Sequence, residues 1–165
     1  MPHILAPSDS ICNLLREDCP WLDQGAVERL AIGVDPAKGS SGDPETDRKR
    51  IRKELGIEGQ LPVVMSVGRL AGIKGHRFLI QALARLRKSV NGVSTVTGVI
   101  VGDGPLHTEL AEMARDEGVE DHIRITGFRQ DIGAVLAAAD IIALPSLSEG
   151  FPLALLEAMM AGRPI

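Results

Sequence analysis

The stretch that decides the fold is residues 141–162, which read IIALPSLSEGFPLALLEAMMAG. It begins with four apolar residues, enough for a short strand, and continues through a loop with serine and glycine into a predicted helix. Pro152 lies near the first position of that helix, where its missing N–H costs no intrahelical bond. A helix that follows a strand and a loop in this way begins at the carboxyl edge of a parallel sheet. The backbone amides of Gly150, Phe151 and Leu153 therefore predict an anion-binding loop.

Glu157 is the only charged residue of this predicted helix. It falls within an apolar arc of the helical wheel, and the opposite side is apolar too, so the pattern predicts a helix that is buried nearly all round. A buried carboxylate requires a hydrogen-bonding or ionic partner. Two interpretations follow: a salt bridge to a neighbouring helix, or hydrogen bonds to a polyol such as a ribose at the mouth of the loop. Glu149, on the loop itself, is by default a solvated acid.

The chain beyond residue 60 alternates apolar runs with amphipathic segments. The predicted strands cover residues 63–67, 96–101, 123–126 and 141–144, and the predicted helices between them centre on residues 78–86, 106–113 and 132–139. An unbroken apolar run such as 63–67 is typical of a strand buried on both faces of a parallel sheet. This alternation, with its short glycine-rich connections, predicts a doubly wound α/β sheet whose ligands bind beyond the carboxyl ends of the strands.

The loop after the first of these strands, residues 68–75, carries two cations, Arg69 and Lys74, on a glycine-rich backbone. Glycine lets a backbone approach a phosphate, and an arginine binds two phosphate oxygens at once. Taken alone, the two side chains are best interpreted as solvated loop cations. Beside an anion-binding helix N-terminus at the same sheet edge, they predict a phosphate site. The Gly-Asp-Gly-Pro turn at residues 102–105 is a weaker signal, a tight turn whose backbone can reach a nucleotide.

Composition excludes several classes of function. The chain has 165 residues, enough for one ordinary domain, and its net charge of −4 and aromatic content of 2% argue against a nucleic-acid-binding protein. The basic run at residues 48–53 is flanked by acids and is interpreted as the solvated face of a short helix. Cys12 and Cys19 lack the spacing of a zinc site. Without a leader or an apolar run of 18 residues, the sequence predicts a cytoplasmic protein with free thiols.

The first sixty residues form a less regular segment. A strand at residues 3–6, a helix capped by Ser8 or Ser10 and a strand at residues 27–32 are predicted there. Gly, Ser, Lys and Asp then dominate residues 37–44, a composition that is typical of a hinge or a domain boundary.

With these loops in place, the sequence resembles the C-terminal domain of the retaining glycosyltransferases of family 4, the group 1 family, which have the GT-B fold. The matching segments are residues 67–70, 74–75, 101–105, 125–127, 139–140, 145–146, 149–153, 157–159 and 162–165. They occur in family order, and Glu149 and Glu157 have the family's E-x7-E spacing. The resemblance implies a Rossmann-like doubly wound parallel sheet, incomplete at both ends. Residues 1–36 would be the tail of an N-terminal acceptor domain, 37–60 an interdomain linker, and 61–165 a truncated donor-binding domain.

The resemblance also implies a role for each site residue. Arg69 and Lys74 would bind the donor diphosphate and stabilise its charge as the glycosidic bond breaks. Glu149 would hold sugar hydroxyls, and Glu157 would accept a hydrogen bond from the ribose. The other implied donor-binding residues are Gly68, then Thr126 and Gly127 by the base, and Gly150, Phe151, Pro152 and Leu153 around the sugar and phosphate.

The implied activity is transfer of a sugar from a nucleotide-sugar, such as a UDP- or GDP-sugar, with retention of configuration and without a metal or other cofactor. The acceptor would be a glycan, a lipid or a small molecule, bound through an N-terminal domain that this chain lacks. Nucleic acid is not an expected partner, and peripheral membrane association of the full-length protein stays open.

Two alternatives to an active transferase also stay open. Because an acceptor domain needs roughly 150 further residues, the chain is expected to be a fragment with little or no activity alone. It could instead be a non-catalytic nucleotide-sugar binding module or an inactive truncated remnant. A generic dinucleotide-binding Rossmann domain ranks lower, because His107 stands where the third glycine of Gly-x-Gly-x-x-Gly is required.

Overall fold

The computed structural model of the chain describes residues 3–35, 42–57, 59, 61–89 and 96–165. Its contacts divide the chain into two compact units. The first is Met1–Val34 with Glu149–Leu153, and the second is Asp35–Ser148 with Ala154–Ile165. Within the described ranges, no helix is both long enough and apolar enough to span a bilayer.

The first unit contains two short parallel strands and one helix. Strand β1 (Ile4–Ala6) leads into helix α1 (Asp9–Asp18), and a 3-10 turn precedes strand β2 (Val27–Arg29), which pairs with β1. The Ser8 hydroxyl accepts a hydrogen bond from the Ile11 amide at 3.3 Å, so Ser8 rather than Ser10 caps the helix. A small apolar core joins these elements. Strand β2 ends at residue 29, three residues earlier than predicted.

The second unit has the predicted alternation of helices and parallel strands. In chain order its elements are α2 (Pro44–Glu54), β3 (Val63–Val67), α3 (His76–Ser89), β4 (Thr97–Val101), α4 (His107–Asp116), β5 (Ile123–Ile125), α5 (Ile132–Ala137), β6 (Ile141–Ile142) and α6 (Leu153–Met160), whose first residue belongs to the first unit. The strands are ordered β5-β4-β3-β6 and all pairs are parallel. This is the strand order of a doubly wound sheet, and the direction of winding reverses between β3 and β6.

Alternate residues of the central strands face opposite layers of helices. Val63, Met65 and Val99 are fully buried in a core shared with α2, α5 and α6. On the other face, Ile100 is buried in a second core with α3 and α4, and Val64 packs against it. Burial on both faces explains the unbroken apolar run of β3, and the prediction of a doubly wound α/β sheet is confirmed.

Helix α2 lies within the segment predicted as an interdomain linker, and it packs on α5 in the second unit. Two cations of its basic run, Arg48 and Arg52, bind the Asp140 carboxylate through their Nη2 atoms at 2.6 Å each. Their side chains are only 25% and 13% exposed. The interpretation of this run as a solvated face is therefore wrong for these two arginines, because a carboxylate about 90 residues away in sequence lies against them.

Helix α6 is less buried than its composition predicts. Ala158 is fully buried, but Met159 and Met160 are 60% and 51% exposed. A helical wheel shows how apolar residues are distributed, whereas burial depends on which elements contact each side. Ala158 is the one buried residue of α6, so the prediction of a helix buried nearly all round is wrong.

Candidate functional site

A cleft of about 810 Å³ opens at the carboxyl ends of the strands in the second unit. Three strand-end segments line it, residues 67–69 after β3, 101–103 after β4 and 128–130 after β5, together with Ile132 and Glu157. A doubly wound sheet binds its ligands at this edge, close to where the winding reverses. The cleft therefore lies where the sequence predicted a ligand site.

The first wall of the cleft is held by glycines that let two loops touch. The amide of Gly68 donates to the Val101 carbonyl, and the amide of Leu70 donates to the Asp103 carbonyl, both at 2.9 Å. Gly102 has a φ of +147°, and a Cβ added there would lie 1.9 Å from the Gly68 carbonyl oxygen. No larger residue fits, so the Gly-Asp-Gly turn primarily serves close packing of the β3 and β4 loops.

Arg69 presents an available cation at this wall. Its side chain is exposed, lines the cleft and forms no ion pair with any residue that the structure describes. Lys74 is half-buried on the same loop, and its Cδ atom lies 3.6 Å from the position that a Cβ on Gly68 would take. The structure thus brings Gly68, Arg69 and Lys74 together, with Gly68 and Arg69 on the cleft surface.

His76 lies beneath the Arg69 loop. It is 3% exposed, its Nδ1 atom lies 3.1 Å from the Ser66 hydroxyl, and its Nε2 atom lies 3.2 Å from the Arg69 carbonyl oxygen. Burial lowers the pKa of His76, and the nearby charge of Lys74 lowers it further, although hydrogen bonds to the Arg69 and Gly68 backbone oppose both effects. The sequence analysis did not identify this residue, because one histidine at a helix start has no motif.

Glu157 is half-buried and its side chain lines the cleft. Of the two interpretations given to it, a position at the mouth of the ligand site agrees with this placement. A carboxylate in this position can accept hydrogen bonds from hydroxyl groups of a ligand.

The lining segment after β5, residues 128–130, carries an arginine whose charge is already balanced. Arg129 donates to Asp131 from Nε and Nη2 at 2.8 Å each, and it also contacts the Glu54 carboxylate. Hydrogen bonds to these two acids raise the pKa of Arg129, and the hydrogen bond from Arg129 lowers the pKa of each acid. Because Arg129 is neutralised by two carboxylates, Arg69 is the better candidate for binding a phosphate.

Phe128 and Gln130 flank this arginine on the cleft surface, and Phe128 is 73% exposed. The sequence analysis named Thr126 and Gly127 instead. The Thr126 hydroxyl donates to the Gly127 carbonyl at 3.0 Å, and that carbonyl also accepts from the Gly102 amide at 2.9 Å. These two residues tie the β4 and β5 loops together, and the cleft lining begins one residue later.

Residues 149–153 belong to the first unit, and the cleft residues belong to the second. Glu149, Phe151 and Pro152 are half-buried, whereas Gly150 is exposed. A Cβ added at Gly150 would lie 3.5 Å from the Ile11 side chain. The Leu153 amide donates to the Phe151 carbonyl at 3.0 Å. The expectation that this amide is free to bind an anion is therefore wrong.

Among the described residues, no group of three or more His, Cys, Asp or Glu side chains could hold a metal ion. The polar side chains of the cleft lining are those of Arg69, Asp103, Arg129, Gln130 and Glu157, and loop backbone lies beside them. Asp103 accepts a hydrogen bond from the Gly104 amide at 2.7 Å. Such a site can bind an extended ligand that carries both an anionic group and hydroxyls.

Comparison with known proteins decides the family. Residues 61–165 match the model of the family described as glycosyl transferases group 1. The chain belongs to this family.

Relatives of this glycosyl transferase chain transfer different sugars. It is 33% identical over 144 residues to 2-deoxystreptamine glucosyltransferase of Streptomyces kanamyceticus, a match that covers 86% of this chain and 36% of the relative. It is 35% identical over 149 residues to the GDP-mannose-dependent alpha-(1-6)-phosphatidylinositol monomannoside mannosyltransferase of Mycobacterium tuberculosis, covering 85% and 37%. The chain thus spans little more than a third of the length of these relatives.

Solved structures with the GT-B fold share the architecture of this glycosyl transferase chain. WaaG, a glycosyltransferase involved in lipopolysaccharide biosynthesis, superposes with a TM-score of 0.81 at 27% identity, over 97% of this chain and 42% of WaaG. HepE of Anabaena, in complex with UDP and glucose, superposes with a TM-score of 0.80 at 27% identity, over 98% and 43%. The resemblance to the group 1 family and the GT-B fold are therefore confirmed.

Proposed function

We propose that this chain is the donor-binding part of a glycosyltransferase that moves a sugar from a nucleotide-sugar to an acceptor with retention of configuration. The observation that carries the proposal is the cleft at the carboxyl ends of the strands, where the available guanidinium of Arg69 and the carboxylate of Glu157 line one cavity. A nucleoside diphosphate needs a cation for its phosphates and an acceptor for its ribose hydroxyls.

The roles of the individual residues follow from their chemistry. Arg69 donates hydrogen bonds to two oxygens of the diphosphate, and Lys74 on the same loop adds positive charge as the leaving group forms. Glu157 accepts from the ribose, and the exposed ring of Phe128 and the side chain of Gln130 face the base. Glu149 and residues 150–152 hold the sugar, a role proposed on the family resemblance alone. No metal or other cofactor is required in this scheme, because the cations of the protein balance the leaving group.

The names of the relatives support a nucleotide-sugar donor. One relative is described as dependent on GDP-mannose, and HepE was solved with UDP and with UDP-glucose. We propose a UDP- or GDP-sugar for this protein. The acceptor, a glycan, a lipid or a small molecule, is recognised by the acceptor domain of the full-length enzyme, and this chain alone binds the donor without transferring its sugar.

The test is binding of nucleotides to the purified chain. Thermal unfolding is measured in EDTA with and without UDP, GDP and their sugar conjugates. A ligand at about 100 times its dissociation constant adds about 2.7 kcal/mol of stability, which raises the melting temperature by roughly 5–10 °C. We expect this rise with one of the two bases.

Matched variants separate a specific site from general charge effects. Arg69→Ala should weaken binding about 10-fold to 100-fold, since it removes a charged hydrogen-bonding group. Arg85→Ala, an exposed arginine outside the cleft lining, should leave it unchanged. Glu157→Gln should weaken nucleotide binding as well, and Glu112→Gln on the exposed side of α4 serves as its control. Equal affinities for all four variants would overturn the site assignment.

The test of retention requires the full-length enzyme. The anomeric configuration of the product is read from the proton coupling constant in an NMR spectrum of the reaction. An inverted product would refute that part of the proposal and leave the donor site standing.

A further inference from the structure

Ser66 and His76 form a buried polar pair in the described sheet core, and the proposed function does not yet use it. Ser66 lies in β3 at 1% exposure, and His76 begins α3 at 3% exposure. Neither side chain lines the cleft. Burial of two polar side chains in an apolar core is costly unless each is hydrogen-bonded, and both are.

The hydrogen bonds fix the tautomer of His76. The Arg69 carbonyl oxygen can only accept, so the Nε2 atom, 3.2 Å away, must carry the proton and donate it. In the neutral ring, Nδ1 is then an acceptor, and the Ser66 hydroxyl donates to it over 3.1 Å. A directed chain of hydrogen bonds therefore runs from Ser66 through His76 to the backbone of Arg69.

This chain ends at the residue whose side chain supplies the cation of the cleft. The Arg69 carbonyl also accepts from the Ala71 amide at 2.8 Å, so both of its lone pairs are used. The next amide, that of Leu70, donates to the Asp103 carbonyl at 2.9 Å. The peptide unit after Arg69 is thus held from both sides.

The ring also supports the loop sterically. Its Nε2 and Cε1 atoms lie 3.7 Å and 3.8 Å from the position that a Cβ on Gly68 would take. A side chain larger than glycine at residue 68 would therefore contact the imidazole, which also lies against the Arg69 carbonyl. A smaller side chain at residue 76 would leave both the carbonyl and this backbone unsupported.

We propose that His76, oriented by Ser66, is a positioning residue that fixes the backbone of Arg69 so that its guanidinium meets the diphosphate of the donor. The inference rests on the proposed function, because it assigns Arg69 to the diphosphate. His76 itself touches no ligand. Its contribution should appear only with ligands that carry phosphates and only when the Arg69 guanidinium is present.

The test compares His76→Gln with His76→Leu in the full chain by isothermal titration. A glutamine amide places its Nε2 near the position of the histidine Nε2, so it can still donate to the Arg69 carbonyl, whereas leucine cannot. We expect His76→Leu to weaken binding of the preferred nucleoside diphosphate about 5-fold to 10-fold, the change that loss of one hydrogen bond produces. We expect His76→Gln to stay within about 3-fold of the parent, and affinity for the nucleoside without phosphates to be unchanged in both.

A double-mutant cycle with Arg69→Ala separates positioning from general support of the fold. If His76 acts through Arg69, His76→Leu has no further effect on affinity in the Arg69→Ala background. An equal loss in that background, or an equal loss for the nucleoside, would overturn the inference. Ser66→Ala removes the donor to Nδ1 and leaves the ring in place, so it should weaken diphosphate binding about 2-fold to 3-fold. This variant serves as the test if His76→Leu fails to fold.

The outcomes distinguish this inference from the proposed function. Binding by the parent chain with no effect of His76→Leu and Ser66→Ala would overturn only the positioning role. No binding of any nucleoside diphosphate by the folded parent chain would overturn the proposed function, and the positioning role with it.

Discussion

Replacement of Asp140 by alanine should destabilise the second unit more than loss of any exposed carboxylate. Asp140 precedes β6, and its carboxylate accepts from Arg48 and Arg52 at 2.6 Å each and from the Val63 amide at 2.7 Å. Burial raises the pKa of Asp140, but these three hydrogen bonds outweigh burial and hold the pKa below its ordinary value. One side chain thus connects α2, β3 and the start of β6.

The expected loss of stability in Asp140→Ala lies between the values for an exposed and for a buried ion pair. Exposed pairs contribute about 0–1 kcal/mol, whereas removing one partner of a buried pair costs about 3–5 kcal/mol. The Asp140 side chain is 31% exposed and that of Arg52 is 13% exposed, so the site is closer to the buried limit. Both arginines keep hydrogen bonds to carbonyls of residues 137–139, which limits the penalty. We expect a loss of about 3 kcal/mol, equivalent to a fall in melting temperature of roughly 6–12 °C.

The assay is urea and thermal unfolding of Asp140→Ala beside a matched removal of an exposed carboxylate. Glu45 on α2 pairs with Lys49 at 3.4 Å, and both side chains are more than 60% exposed. Glu45→Ala should therefore change stability by less than about 0.5 kcal/mol. Asp140→Asn should fall between the two, since the amide oxygen can still accept from the Val63 amide. Equal melting temperatures for the Asp140 and Glu45 variants would refute the reasoning.

Two further predictions concern the loop that carries Arg69. Gly75→Ala should destabilise the chain by about 2–4 kcal/mol, because φ is +64° and the new Cβ would lie 2.1 Å from the Pro145 carbonyl oxygen. Gly72→Ala, where a Cβ meets no atom within 4 Å, should cost less than about 1 kcal/mol, and similar urea midpoints for the two variants would contradict this. Stability should also fall as the pH drops below about 6.5, because this histidine takes up a proton in the unfolded chain. In the folded chain His76 stays neutral to lower pH, since burial and the nearby charge of Lys74 lower its pKa. His76→Gln should lose that part of the pH dependence between pH 7.5 and 5.5, and an unchanged profile would exclude His76 as its source.

The position of the cleft was predictable because it depends on local signals. Apolar runs at residues 63–67 and 96–101 indicated strands, and glycine-rich segments after them indicated loops. In a parallel sheet all carboxyl ends lie at one edge, so Arg69 was placed at the ligand site before the strand order was known. The helical pattern offered Glu157 as a ligand residue or a salt-bridge partner, the family's ordered motifs implied the ligand role, and the structure places Glu157 in the cleft lining.

The residues beyond this set were less predictable because their signals are weak. Phe128 and Gln130 follow the strand end at residue 125 by only a few positions, so extending the strand-end argument by three residues would have found them. Ser66 and His76 carry no motif, and their pairing is visible only after β3 and α3 are packed.

The sequence by itself determined the order of the strands and helices along the chain and the loops that form the ligand edge. Hydrophobic periodicity, glycine and proline are read over a few neighbouring residues, and these suffice for local structure. Only the tertiary structure decided that Arg48 and Arg52 meet Asp140, that Arg129 is neutralised by Glu54, and that α6 keeps exposed methionines. Each of these depends on which distant segments become neighbours, and that is set by the packing of the whole sheet rather than by any local pattern.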